Sequence, residues 1–183
     1  MTQKLFTKTR FKLGMDCPTK LYYSEKDAYV DISVTDPFLE ALADGGYQVG
    51  ELAKCNYPQG VEVEAHDTHE AYKQTQQLLT RKNVEIFEAA LVHQGLAARV
   101  DVLMKRDRVI TLFEVKSKSY DASTTRFMTK KGDALNSKWA PYLYDIAFQH
   151  YIATRLFPDF TIESFLVLVD KQAVCTIDGL NSK

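Results

Sequence analysis

Three consecutive apolar segments in the middle of the chain constrain its fold most. Each has the length and side-chain pattern of a β-strand, and they span residues 84–93, 97–105 and 109–117. Short polar turns, Gln94-Gly95 and Arg106-Asp107, separate them. Strands joined by such tight turns run antiparallel to each other. The sequence therefore predicts a meander at the heart of an antiparallel or mixed sheet.

Helical segments precede and follow this meander. Asp36-Pro37 supplies an N-cap and a first-turn proline for a helix that reaches Cys55, within which Gly45-Gly46 is expected to bend or break the helix. The spacing from Asp67 to Glu70 is typical of a second helix start. The remaining predictions are a helix over 7–14, an extended piece over 21–23, a helix over 68–81, a long loop over 120–138 that Trp139 ends, a helix over 142–157 that Pro158 stops, and a final buried strand over 162–169.

Length and charge restrict the classes of protein to consider. A chain of 183 residues suits one domain, 1–183, with a two-sided core. A formal net charge of -1 argues against coating nucleic acid through bulk charge, so any such binding must be local. No run of apolar residues could cross a bilayer and the N-terminus lacks an apolar signal core, so no membrane partner and a cytoplasmic location are expected.

One group of basic residues could form a phosphate-facing strip. Its members are Lys116, Lys118, Arg126, Lys130, Lys131 and Lys138. The same residues also fit a solvated loop with ordinary surface lysines, and composition alone does not decide between the two.

Two acids stand in the middle of apolar strands. Asp101 lies in Arg99-Val100-Asp101-Val102, and Glu114 lies in Phe113-Glu114-Val115-Lys116. A carboxylate in such a place loses hydration worth several kcal/mol unless a positive group compensates. Counted back from the turn between their strands, Asp101 and Glu114 come within reach of each other.

Strand periodicity places Glu114 and Lys116 on one face. Two close carboxylates need a cation between them, and hard oxygen ligands select Mg²⁺ or Mn²⁺. Such an ion lowers the pKa of a bound water and neutralises charge on a phosphodiester, while Lys116 would orient or help deprotonate that water. By spacing alone, an exposed Glu114–Lys116 pair on the polar face of an edge strand is the commoner arrangement, so the context has to decide.

Further motifs accompany these residues in order along the chain. They are Arg10-Phe11, Cys17-Pro18, Gly46 to Ala53, Ile86 to Ala90, Asp101, Glu114 to Ser117, and Asp145 to Gln149. Together they resemble the RecB-like branch of the PD-(D/E)XK nucleases, and more closely a bacterial domain family related to the CRISPR-associated RecB-like exonucleases. The resemblance covers most of the chain. It implies a three-layer α/β fold of the restriction-endonuclease type, a central mixed sheet flanked by helices, with the site at one end of the sheet.

The resemblance also implies roles for individual residues. Asp101 and Glu114 would bind the metal, the backbone carbonyl of Val115 would complete its shell, and Lys116 would act on the water. Glu51, after Gly50, stands where RecB-like members usually have a histidine ligand. Gln149, with Tyr151 after it, resembles a glutamine that could fix Lys116 or a phosphate, although a helix-surface glutamine is an equally good interpretation. Glu88 is a candidate outer acid, and the four histidines form no triad or zinc spacing.

The cysteines suit neither a disulfide framework nor a zinc site within the chain. Cys17, Cys55 and Cys175 are widely spaced and odd in number. Related nucleases bind an iron–sulfur cluster through one early cysteine and three later ones, and only Cys175 follows the last predicted strand here. Since a cluster needs four thiolates, this chain alone is not expected to hold one, and Cys17 would be a ligand only if the native protein is longer.

The sequence therefore predicts a Mg²⁺- or Mn²⁺-dependent deoxyribonuclease. Its expected partner is DNA, with a single-stranded or end-containing substrate favoured because the RecB-like relatives favour it. The competing hypothesis is a binding or scaffold module that keeps the nuclease fold without turnover. Nucleotide hydrolysis through a phosphate-binding loop is not expected, because the chain has no G-x-x-x-x-G-K-[ST] run.

Overall fold

The computed structural model describes residues 5–24, 26, 28, 29 and 37–174, and for residues 37–42 the backbone alone. Within this part of the chain lie six strands and five helices. In chain order they are β1 Phe6–Thr7, α1 Lys8–Asp16, α2 Pro18–Tyr23, α3 Pro37–Lys54, β2 Val61–Glu62, α4 Thr68–Leu78, β3 Asn83–His93, β4 Leu96–Arg106, β5 Val109–Tyr120, α5 Ala140–Leu156 and β6 Thr161–Asp170.

The strands form one open, mixed sheet in the order β2-β3-β4-β5-β6, with β1 beside β4. The β3–β4 and β4–β5 pairs are antiparallel, whereas β2–β3, β5–β6 and β1–β4 are parallel. This arrangement confirms the predicted α/β fold with a central mixed sheet flanked by helices. It also confirms the meander of three strands, each within three residues of its predicted ends.

Of the two turns in the meander, the first lies where it was predicted and the second is shifted by one residue. Gln94 and Gly95 have φ of 47° and 81°, the left-handed values that a two-residue hairpin turn requires. Arg106 pairs with Val109, so the second turn is Asp107-Arg108, one residue later than predicted. The physical reason is that Asp107, with φ of 49°, takes the left-handed conformation that aspartate tolerates.

Strands β4 and β5 separate in the middle of the sheet. Their last backbone pair is Val102 with Phe113, although β5 continues beside β6 to Tyr120. Nearer the start of β4, β1 takes the place of β5 beside β4. There Phe6 pairs with Leu96. A gap therefore opens between β4 and β5 inside the sheet. Because α1 follows β1 directly, α1 begins beside this gap.

Helices α3 and α5 cover opposite faces of the sheet. Lys54 of α3 lies over the ring of Phe87, 5.7 Å from its centroid, and Tyr57 just after α3 is 5.9 Å from Phe113. On the opposite face of β5, Glu114 accepts a hydrogen bond from Gln149 of α5. Since neighbouring strand residues point to opposite faces, α3 and α5 sandwich the sheet between them.

Residues 21–23 are helical, and the prediction of an extended piece there is wrong. They form the end of α2, in which Pro18 occupies the first turn and Ser24 is the C-cap. The predicted helix over 7–14 is confirmed as α1, and Thr7 caps it by accepting from the Arg10 N–H at 3.4 Å. The short stop at Cys17 thus separates two helices rather than a helix and a strand.

The predicted break at Gly45-Gly46 is also wrong, because α3 runs through both glycines without interruption. Two helical glycines cost roughly 2 kcal/mol relative to alanines. The C-terminal end of α3 packs on the sheet, where Ala53 is buried and Lys54 lies over the Phe87 ring, and such tertiary packing stabilises a helix against poor local propensity. The proposed N-cap Asp36 lies outside the described residues.

The last strand is an edge strand, not a buried one. All ten residues of β6 are described, and each is exposed or half-buried, with Phe165 49% exposed. β6 stands last in the sheet order, so its outer edge has no strand beside it among the described residues. The apolar run over 162–169 therefore predicted the strand correctly, but the prediction that this strand is buried is wrong.

Two glycine substitutions test this arrangement from opposite directions. Gly45→Ala should stabilise the protein by about 0.5–1 kcal/mol, because it favours a continuous helix and an added Cβ meets nothing within 4 Å. Gly60→Ala should destabilise it by about 1–3 kcal/mol, because its Cβ would lie 2.1 Å from the buried Phe87 ring. Urea denaturation of both variants measures the two effects. A destabilising Gly45→Ala would contradict a continuous α3.

Candidate active site

The site begins where the β4–β5 ladder ends. The register that pairs Val102 with Phe113 sets Asp101 opposite Glu114 at the next position. In place of a backbone bond, Oδ2 of Asp101 accepts from the N–H of Val115 at 2.6 Å. The carboxylate thereby takes over an N–H that the diverging strands leave unpaired. The predicted proximity of Asp101 and Glu114 follows from this register.

Glu114 is fully buried and is held by side chains from α1, from α5 and from its own strand. Lys8 of α1 donates to both of its oxygens, at 2.9 Å to Oε1 and 3.0 Å to Oε2. Lys116 donates to Oε1 and the Gln149 amide donates to Oε2. The exposed Glu114–Lys116 pair that spacing alone favoured is therefore not what the structure contains.

Asp145 is a second buried acid in the same network. Its Oδ2 lies 3.3 Å from the Lys116 ammonium and 3.1 Å from that of Lys12. Lys116 consequently bridges two carboxylates, one on its own strand and one on α5. Sequence reasoning quoted Asp145 only within a motif, although an acid one helical turn before Gln149 was a usable signal.

Lys8 and Lys12 were missed altogether. They stand four residues apart at the start of α1 and so share one face of that helix. Each pairs with a buried carboxylate, Lys8 with Glu114 and Lys12 with Asp145. Their spacing was visible in the sequence, but it carried no indication that β1 would bring this face to the gap between β4 and β5.

Glu88 extends the row of acids to a third strand. The pairs on either side, Phe87 with Val102 and Ala89 with Val100, set Glu88 opposite Asp101. Glu88 also has φ of 54°, a conformation that is rare outside glycine and that clusters at functional sites. Like charges directly opposite each other are unfavourable in a sheet, so this arrangement costs stability unless a cation is present.

A cavity of about 500 Å³ opens beside these acids. Asp101, Val115 and Lys116 line it from the sheet, Glu88 lines it from β3, and Glu51 lines it from α3. Four of the residues predicted for the metal and the water thus border one cavity, namely Asp101, Val115, Lys116 and Glu51. The fifth, Glu114, does not line the cavity but accepts a hydrogen bond from Lys116, which does. Glu51 also pairs with Lys54 at 2.8 Å.

The pKa values of the two central acids move in opposite directions. Burial, reinforced by the neighbouring charge of Glu114, raises the pKa of Asp101 to about 6. Burial also acts to raise the pKa of Glu114, but the ammonium groups of Lys8 and Lys116 outweigh it and lower that pKa. Glu114 is therefore the compensated acid of the pair, and Asp101 is the one whose charge still lacks a full partner.

Lys116 keeps its proton in this environment. Burial alone would lower its pKa, but Glu114, Asp145 and Asp101 together raise it above the usual value. At neutral pH its ammonium can donate hydrogen bonds but cannot accept a proton. This favours an orienting role over deprotonation of a water by Lys116.

Gln149 and Tyr151 end up in different places. Gln149 is fully buried and donates to Glu114, so the helix-surface interpretation of this residue is wrong. Tyr151 is exposed, and Arg155 rather than any site residue lies over its ring. The two residues therefore do not act together at the site.

The structure adds little support for the predicted phosphate-facing strip of basic residues. Lys118 lies over the rings of Trp139 and Tyr142, and Arg126 donates to the carbonyls of Ser123 and Thr125 in its own loop. The long loop is confirmed between β5 and Trp139. Its role toward phosphates stays a prediction.

Among the described residues, no three or more His, Cys, Asp or Glu side chains gather in a way that could hold a metal ion. Cys17 and Cys55 are free thiols, and Cys175 lies outside the described part. The helices described include none with the length and apolar character to span a bilayer.

Comparison of the chain with protein-family models, with curated proteins and with solved structures found no match. The resemblance to RecB-like nucleases therefore depends on the motifs alone.

Replacing Asp101 by asparagine should stabilise the protein in a pH-dependent way. The folded pKa of Asp101 is raised, so folding takes up a proton and the ionised group lowers stability as pH rises from about 4 to 6. Asparagine can still accept from Val115 but carries no charge. The gain should be on the order of 3 kcal/mol at pH 8, at about 1.4 kcal/mol per pKa unit, and should vanish near pH 4.

Urea denaturation in EDTA at pH 4 and pH 8 measures this difference. Asp133→Asn is the control, because Asp133 is exposed and its bond from Thr129 at 2.7 Å can be kept by the amide. Equal stability of Asp101→Asn and the parent protein at both pH values would mean that Asp101 is not an uncompensated buried charge.

Proposed function

We propose that this chain is a divalent-metal-dependent nuclease that hydrolyses DNA phosphodiester bonds. The observation that carries the proposal is the convergence of Asp101, Glu114 and Lys116 at the gap between β4 and β5, beside an acid-lined cavity. Acids and an ammonium group buried together at a cavity are a common sign of a functional site. The motif resemblance, which includes the same three residues, points to the same conclusion.

The residues fit a hard divalent cation. Asp101 is a buried carboxylate whose charge is not fully compensated, and it stands between Glu88 and Glu114. Mg²⁺ is usually held by one or two carboxylates and otherwise by water, so a group of three acids is not required. Asp101 and Glu114 would hold the ion together with the carbonyl of Val115, and Glu51 borders the same space from α3. A bound ion would supply a water of lowered pKa and neutralise charge on the phosphate.

The chain's own groups would then orient the reactants. Lys116 is held between Glu114 and Asp145 and donates hydrogen bonds from a protonated ammonium. Gln149 fixes Glu114 from the side of α5. Tyr47, 70% exposed at the edge of the cavity, offers a face on which an unpaired base could stack. This last feature supports the preference for single-stranded or end-containing DNA.

A second candidate is a nucleic-acid-binding or scaffold module without turnover. The specific observation in its favour is that Lys8, Lys116 and Gln149 together fill the hydrogen-bonding positions of Glu114. A carboxylate satisfied in this way can serve purely to hold α1, β5 and α5 together. The two candidates differ in whether metal-dependent cleavage occurs.

Cleavage of end-labelled single- and double-stranded DNA in Mn²⁺, Mg²⁺ or EDTA tests the proposal. We expect cleavage that EDTA abolishes and that Lys116→Met reduces by about 100-fold or more, because the variant keeps the alkyl chain but loses the donor. Lys73→Met is the control, since Lys73 is exposed on α4 and pairs only with Glu70 among the described residues. The product ladder would also give the polarity.

Two results would count against a nuclease. One is a folded Lys116→Met variant with the activity of the parent protein, which would remove Lys116 from the mechanism. The other is DNA binding by the parent protein without cleavage under any metal condition, which would favour the scaffold.

A further inference from the structure

The Lys8 ammonium has an unusual position within the site. It donates to both oxygens of Glu114, at 2.9 and 3.0 Å, although it lies 106 residues away in the sequence. Its positive charge also acts on Asp101, where it opposes the effect of burial. The Lys8 ammonium thus acts electrostatically on Glu114 and Asp101, the two carboxylates that the proposed metal would bind.

Glu114 has no acceptor position to spare. A carboxylate offers about four lone-pair sites. In the described part of the chain Lys8 supplies two contacts, and Lys116 and Gln149 supply one each. A metal ion can therefore bind Glu114 only if one of these donors leaves.

Lys8 is the donor that can leave most easily. Lys116 belongs to the twelve-residue strand β5, and Gln149 is fully buried in α5. Lys8 follows the two-residue strand β1 and pairs only with Glu114 among the described residues, whereas Lys116, whose side chain is about equally exposed, is also held by Asp145. A flexible four-carbon stem lets its ammonium move to solvent without a change in the sheet.

We propose that Lys8 is the resident cation of this site, and that a divalent metal ion binds by displacing it from Glu114. The inference rests on the proposed function, because it assumes that Asp101 and Glu114 bind a metal. The exchange neither forms nor breaks a covalent bond. A doubly charged ion replaces a singly charged one at the Glu114 carboxylate, and the Lys8 side chain turns outward.

Calorimetric titration of Mn²⁺ into the full chain tests the competition. Lys8→Met should bind Mn²⁺ about 10- to 100-fold more tightly than the parent protein, since the ion no longer has to break charge-assisted hydrogen bonds. Lys12→Met is the matched control. It removes the other α1 ammonium, which pairs with Asp145 and not with Glu114, so its affinity should change by less than about threefold.

A measurement on the parent protein separates displacement from simple repulsion and does not depend on the folding of a variant. Amine-reactive labelling read by mass spectrometry should show Lys8 becoming several-fold more reactive at saturating Mg²⁺, with Lys12 unchanged. Unchanged Lys8 labelling while Mn²⁺ binds would overturn the proposal, and so would equal or weaker Mn²⁺ binding by folded Lys8→Met. In both cases the nuclease proposal would stand. Absence of Mn²⁺ binding by the parent protein and by Lys8→Met alike would overturn the metal site and this proposal together.

Discussion

The burial of the Glu114 carboxylate is the constraint on which the rest of the site depends. An ionised acid without any exposure would cost several kcal/mol if it had no partner. The fold meets this cost with Lys8 from α1, Lys116 from β5 and Gln149 from α5. Two elements distant from β5 in the sequence, α1 and α5, are therefore tied to one of its side chains, and Asp145 extends the same network by holding Lys116.

The sheet makes room for this network by separating β4 from β5. The gap leaves the N–H of Val115 without a backbone partner, and Asp101 accepts its hydrogen bond. It also lets β1 lie beside β4 and start α1 at the site. The fold thus provides one compensated acid and one uncompensated acid side by side. A protein that needed only stability would gain from replacing such a pair by apolar residues, which is why this arrangement supports a function.

The sequence predicted the centre of the fold better than its margins. Strand periodicity and two short turns were sufficient to bring Asp101 within reach of Glu114. The exact register, with Asp101 opposite Glu114, depends on a turn that lies one residue later than predicted, because a hairpin turn determines the register of the strands that it joins. Local patterns failed at Gly45-Gly46, where α3 continues through both glycines. The partners of the buried acids were also beyond local reasoning. Lys8 and Asp145 come to the site through long-range packing, and a sequence alone does not show which distant cation approaches a given carboxylate.

We propose above all that Asp101 and Glu114 together form a divalent-cation site. The anomalous X-ray signal from crystals of the protein soaked in Mn²⁺ would locate the ion. We expect a peak between these two carboxylates, with the Lys8 ammonium no longer in contact with Glu114. Well-ordered crystals with no peak at this position, and with Lys8 still bonded to both oxygens of Glu114, would contradict it.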